Sequence, residues 1–223
     1  FGWKLRSVTK ARRPDLLRVA YPWYSGPASV HIGGRFGIPT AVAFHHLEAD
    51  ESRLESRVHR WVARHSTGIH TGSRFGAQQL AERYGVAEET IAVIPYGVDA
   101  RYRPNEAERR RVRDEHRLGE HVVVLHVGSL IARKNLLFLV EVFESIEAKP
   151  SPLLLLCGEG YPKDDYAERL AARIDRSKAR DRIRLLGRVS EDDKLGLYRA
   201  CDIVVHPAHV EGFGFAVAEG MAC

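Results

Sequence analysis

Apolar residues gather in short, dense runs at 16–21, 40–44, 68–71, 91–94, 122–127, 153–157, 183–186 and 203–206. Several, the LLLLC of 153–157 above all, are apolar at every position rather than at every second one, the pattern of a strand covered on both faces. Longer stretches with apolar positions three and four apart lie between them, at 52–64, 73–84, 106–117, 136–147, 165–176 and 191–198. Ser73 is placed to cap one of these helices and Gly85 to end it. Strand and helix in alternation predict parallel sheets with helices on both faces. The longest apolar runs fall far short of the roughly 18–20 residues that a membrane-crossing helix needs.

Residues 95–104 (PYGVDARYRP) break the pattern with two prolines, a glycine and an aspartate between a strand and a charged helix. The division expected there gives an N-terminal domain at 1–103 and a C-terminal one at 104–223. The chain has 223 residues, begins without Met and stops at GMAC, so it is expected to be a piece of a longer protein.

Apolar residues make up 44% and charged residues 28%, an ordinary balance for a globular chain, so the net charge of +5 matters through its placement. The excess sits in residues 1–18, and the remainder is balanced. A nucleic-acid partner is therefore not expected, because a binding face needs its basic excess spread along a groove. The basic end is a candidate for peripheral contact with acidic lipid headgroups at the inner face of the membrane, although a solvated helix face is the simpler reading. Cys157, Cys201 and Cys223 form no CxxC pair; two are expected inside apolar strands, as buried thiols in a reducing cytoplasm. His206 and His209 have a metal-like spacing without a third ligand nearby, and no metal site is expected.

In open α/β sheets ligands sit beyond the carboxyl ends of the strands. Three loops there carry suitable residues. Gly128 ends a strand, Ser129 follows, and Arg133 and Lys134 stand just before a helix, a setting for phosphate or diphosphate. Gly158, Glu159 and Gly160 form a second loop. In the third, Glu211 and Glu219 flank the turn Gly212, Phe213, Gly214, whose backbone N–H groups could face an anion, while Glu219, read as lying near a helix N-terminus, could accept from vicinal hydroxyls.

The string EGFGFAVAEGMAC at 211–223 resembles the E-x7-E signature of retaining nucleotide-sugar glycosyltransferases of the GT-B fold, glycosyltransferase family four. Further matches follow in the family's order: VAFHH at 42–46, VIPYGVD at 93–99, the loop at 128–135, GRVS at 187–190 and DIVVHP at 202–207. Ser129 stands where the family usually has Arg, and Tyr96 where Asn is usual.

The resemblance implies two Rossmann-like domains facing a cleft, truncated at both ends. It implies a nucleotide-diphosphate sugar as co-substrate, and a glycan, lipid-linked or small-molecule acceptor on the N-terminal domain. Lys134 would neutralise the diphosphate, helped by Arg133 in place of the missing arginine at Ser129, and Glu219 would hold the ribose. Glu211, with the backbone of Gly212, Phe213 and Gly214, would contact the donor sugar, Arg188 and Val189 would border the base, and His45 would approach the reacting centre. No DxD pair stands beside these loops, so metal-independent transfer, with no cofactor, is expected.

A glycoside hydrolase would not need the diphosphate loop, and a Rossmann dehydrogenase would need a strand-linked GxGxxG. The readings kept beside transfer are a non-catalytic nucleotide-binding fragment and a GT-B-fold sugar-nucleotide epimerase. The chain as it stands is expected to fold at least in part without turning over.

Overall fold

A computed structural model describes residues 2–45 and 51–223. His46, the last residue of the 42–46 match, lies outside the described residues. By contact, the chain divides into two compact units, one of Phe1–Tyr96 with Glu211–Phe213, the other of Gly97–Val210 with Gly214–Cys223.

The first unit carries a parallel sheet in the order β1 (Leu17–Val19), β2 (Thr40–Ala43), β3 (Gly68–Thr71), β4 (Ile91–Val93). Its helices are α1 (Gly2–Ala11), α2 (Pro22–Phe36), α3 (Arg53–His65) and α4 (Arg74–Tyr84). Val19, Val42 and Ile69 of the strands pack with Val62 of α3 and Leu80 and Tyr84 of α4. Ser73 caps α4 by accepting from Gly76 N–H, and Gly85 ends it in the left-handed conformation, as the sequence led us to expect.

Helix α2 is absent from the periodicity reading, and the reason is physical. Pro22, Gly26, Pro27, Gly33 and Gly34 lower its intrinsic helix propensity, so packing forms it instead. A Cβ on Gly26 would lie 2.9 Å from Val62 of α3, and one on Gly33 2.8 Å from the Ile38 carbonyl. Residues that look like helix breakers are here the points of close approach.

The second unit runs α5 (Glu106–Glu115), β5 (Val123–Val127), α6 (Leu136–Glu144), β6 (Leu153–Cys157), α7 (Tyr166–Asp175), β7 (Ile183–Gly187), α8 (Glu191–Ala200), β8 (Ile203–Val204) and α9 (Phe215–Ala222). Its parallel strands are ordered β7-β6-β5-β8. Every residue of β6 is buried. Leu153, Leu155 and Cys157 pack with Leu125, Val112 of α5 and Leu197 of α8, whereas Leu154 and Leu156 pack with Phe143 of α6 and Leu170 and Ile174 of α7. The all-apolar run is thus a strand between two helical layers. The 203–206 run pairs only at Ile203 and Val204, and Pro207 has no N–H with which to extend the ladder. Cys201 corrects the strand reading: it caps the end of α8, half-buried, and only Cys157 lies inside a strand.

Glu144 joins α6 to α7 through a two-pronged pair with Arg173, at 2.9 and 2.6 Å, and also accepts from Lys178 N–H. The bonds from Arg173, then Ser177, pull its carboxyl down to about 2. A depressed carboxyl stabilises the fold above its unfolded value near 4.5 and loses that contribution as pH falls toward 2. We expect Glu144→Gln to flatten part of the acid-unfolding curve between those values; superimposable curves for the two proteins would exclude the role.

Candidate donor-binding site

Strand order reverses beside β5. The chain moves outward from β5 to β6 and β7, then returns to lay β8 against the other side of β5. At such a switch point the loops leaving the two strands diverge and open a crevice at their carboxyl ends. The loop after β5 holds Gly128 to Lys134, and the chain after β8 holds His206 and leads to the signature.

Backbone bonds fix the loop after β5. Gly128 N–H donates to the Cys157 carbonyl and Leu130 N–H to the Glu159 carbonyl, both at 2.9 Å. Gly158 lies so close beneath that a Cβ on it would stand 1.9 Å from Gly128 O, and its φ of 149° is one L residues rarely adopt. The loop then closes into a 3-10 turn, Ala132–Lys134, and Asn135, at φ 55°, starts α6.

Lys134 is only 8% exposed, and its Nζ lies 3.3 Å from His206 Nε2, across the switch point. His206 stacks on His126 of β5, with ring centres 5.7 Å apart. His126 is fully buried and its Nδ1 lies 3.2 Å from the Val205 carbonyl. Burial pushes that imidazole down to about 4, so it remains neutral beneath the ammonium. The HxxH spacing does not bring its two rings to one point: His206 turns to Lys134, whereas His209 donates its backbone N–H to the Arg133 carbonyl. Among the described residues no group of three His, Cys, Asp or Glu is arranged to hold a metal ion.

Arg133 donates to the Val210 carbonyl at 2.8 Å and so braces the segment leading into the signature. Ser129 Oγ lies 3.5 Å from the Tyr161 hydroxyl. Arg188 pairs with Glu159 at 3.1 Å, both side chains exposed, and Val189 packs against the core cluster beside α8.

Gly214 caps α9 at φ 80°, in the left-handed region. Glu219 is the fifth residue of α9 and no acidic residue occupies its first turn, which corrects the sequence-based placement of Glu219 near the helix N-terminus. Lys194 of α8 lies 3.4 Å from Glu219 Oε1 and 2.8 Å from Glu191. Burial opposes the charge on Lys194, but its bonds to Glu191 and Tyr102 and the Glu219 charge outweigh it and hold the ammonium well above its usual value. Tyr198 is raised in turn, by burial first and then by Glu219. The sequence reading missed Lys194 and Tyr198. It also missed the use made of His126 and His206.

Glu211, Gly212 and Phe213 belong by contact to the first unit, together with His45. There Ser73 Oγ donates to the Gly212 carbonyl at 2.7 Å, and Phe213 meets the Tyr96 ring edge-on at 5.3 Å. His45 Nδ1 and the Tyr96 hydroxyl lie 2.5 Å apart. Tyr96, the departure from the family pattern, thus positions the candidate histidine, and burial raises its phenol so that it keeps its proton at neutral pH.

Two parallel α/β units, the second with a cationic loop at its switch point, make a Rossmann-like architecture. The sequence profile described as Glycosyl transferases group 1 matches residues 108–223, and that described as Glycosyltransferase Family 4 matches residues 1–102. The chain belongs to this glycosyltransferase family. It is 27% identical over 227 residues to a D-inositol 3-phosphate glycosyltransferase of Segniliparus rotundus, covering 96% of this chain and 50% of that protein. It is 32% identical over 151 residues to a mannosylfructose-phosphate synthase of Agrobacterium fabrum, covering 64% of this chain and 33% of that one. The Anabaena HepE structure with UDP-glucose superposes with a TM-score of 0.86 at 22% identity, over all of this chain and 60% of that one, and shows the shared GT-B fold. The chain spans about half the length of the first of these relatives.

Proposed function

We propose that this chain carries the donor site, and part of the acceptor side, of an enzyme that moves a sugar from a nucleoside diphosphate to a hydroxyl acceptor, retaining the anomeric configuration. The observation that carries the reading is Lys134, a buried cation held by His206 at the switch point of the second sheet. Breaking the anomeric C–O bond builds negative charge on the departing diphosphate, and a preorganised ammonium stabilises it where it grows. The main chain of the Gly128–Ser129 loop approaches the phosphates, with Arg133 bracing it. Glu219, oriented by Lys194, accepts from the ribose hydroxyls. Arg188 and Val189 flank the base. Glu211 and the Gly212–Gly214 backbone meet the donor sugar, and His45, set by Tyr96, serves the reacting centre. With no further carboxylate assigned as a covalent nucleophile, departure and attack on one face of the sugar is the economical route.

UDP and UDP-glucose, held by the Anabaena HepE structures, are the first donors to test. Calorimetric titration with UDP, GDP and ADP should show binding of at least one at millimolar concentration or below; failure of all three removes the reading. In the full-length enzyme turnover should survive EDTA, since the cation at the phosphates is Lys134. Loss on chelation with recovery in Mg²⁺ or Mn²⁺ would replace that mechanism with a metal-assisted one.

Among the described residues no helix is long and apolar enough to cross a membrane. Contact of the basic segment 1–18 with acidic headgroups belongs to the same proposal, with a glycan or lipid-linked acceptor. So does a reducing, cytoplasmic setting, which the three free thiols fit; burial raises Cys157 to about 11, leaving it unreactive.

A further inference from the structure

The first unit contains a cavity of about 220 Å³ at the carboxyl ends of β1 and β2, lined by Tyr21, Trp23, Tyr24, Phe44, His45 and His59 among others. Drug-sized ligands occupy roughly 300–1,000 Å³, so the space suits one small ring rather than an extended chain. Tyr24 is 80% exposed and Tyr21 64%, an unusual expense of aromatic surface to leave in water. Trp23 stands edge-on to His59, and Phe44 does the same from the core side. Such walls offer flat apolar faces to the C–H face of a saturated ring, with imidazoles at hand for its hydroxyls.

The hydrogen-bonding character of the cavity is set from beneath. The Glu51 side chain is 3% exposed, accepts from His59 Nδ1 and from the Tyr84 hydroxyl at 2.8 Å, and forms an ion pair with Arg83, whose Nε lies 3.3 Å away. Burial, then Glu51, pushes the Tyr84 phenol far up, so it stays a donor. With Nδ1 turned to Glu51, Nε2 is the ring nitrogen of His59 that remains to meet a hydroxyl. Glu55 is a lining carboxylate, and the bonds it receives from Ser52 hold its carboxyl below the ordinary value, so it is ionised at neutral pH. No Lys or Arg is among the described residues lining the cavity.

We infer that this cavity binds an uncharged cyclic polyol, a sugar or cyclitol ring without a phosphate group, as the acceptor. The inference rests on the transferase reading for the word acceptor, but the site itself does not. It departs from the D-inositol 3-phosphate that names one relative: an anion here would meet the Glu55 carboxylate with no lining cation to receive it.

The test is ligand-observed NMR titration of the whole chain with methyl α-D-glucopyranoside and myo-inositol against glucose 6-phosphate and myo-inositol 3-phosphate, with UDP titrated in parallel. At least one neutral probe should bind, and its phosphorylated counterpart should bind roughly tenfold more weakly or not at all. Tyr24→Ala, an exposed position whose loss leaves the fold intact, should weaken the neutral probe by roughly tenfold with UDP affinity unchanged. Glu55→Gln, which keeps a side-chain oxygen for Ser52, should narrow the gap between neutral and phosphorylated probes. Equal or tighter binding of the phosphorylated probes, no binding of either neutral one, or indifference to Tyr24→Ala overturns the proposal. Neutral-probe binding that depends on Tyr24 in a chain that ignores UDP would uphold the cavity and remove the transferase reading instead.

Discussion

Lys134→Ala should weaken UDP binding by roughly 10- to 150-fold while leaving uridine binding nearly unchanged. The range is that of a charge-assisted hydrogen bond, about 1.5–3 kcal/mol. The ammonium is almost fully buried and held by His206, so little is lost in ordering it when the phosphates arrive. The buried His126 beneath is neutral near pH 7 and cannot substitute for the missing charge. Calorimetry on both proteins with both ligands decides the matter. Equal losses for UDP and uridine would assign Lys134 to the architecture of the loop and not to the phosphates.

Gly158→Ala is expected to be the most damaging small substitution in the second unit. The new methyl would start 1.9 Å from Gly128 O and 2.8 Å from the carbonyl carbon, both backbone atoms, at a φ of 149°. Overpacking costs about 1–3 kcal/mol and backbone strain about as much again, for a total of about 2–6 kcal/mol. Relief requires the 128–130 loop to lift, so UDP affinity should fall along with the urea midpoint. A variant within about 0.5 kcal/mol of the parent, the range of neutral surface changes, would mean that the two loops are not in register contact.

The strands were legible because burial on both faces leaves a mark that depends on no distant residue. Leu153–Cys157 could be read as a central strand from five letters, and Ser73 and Gly85 announced the ends of a helix in the same local way. Helix α2 was not legible, because Gly26 and Gly33 acquire their meaning only against Val62 and Ile38. The candidate site divides along the same line. The cationic loop and the paired glutamates were visible as motifs, each within a short window. The Lys134–His206 contact spans 72 residues and that of Lys194 with Glu219 spans 25. Partners so far apart in sequence share no pattern that a single chain can display. Tyr96 was visible only as a misfit to the family pattern; its bond to His45, 51 residues away, turns the misfit into a positioning contact.

The loop after β5 is held by main-chain atoms on both sides, from Gly128 to Cys157 and from Leu130 to Glu159, with Gly158 packed beneath it. Its shape therefore does not depend on the identity of the side chain at 129, where Ser129 makes only a long contact to Tyr161. That position can be altered without rebuilding the loop. The loop thus separates the atoms that fix its shape from a side chain that does not, so a serine where the family usually has arginine leaves the backbone geometry of the loop intact.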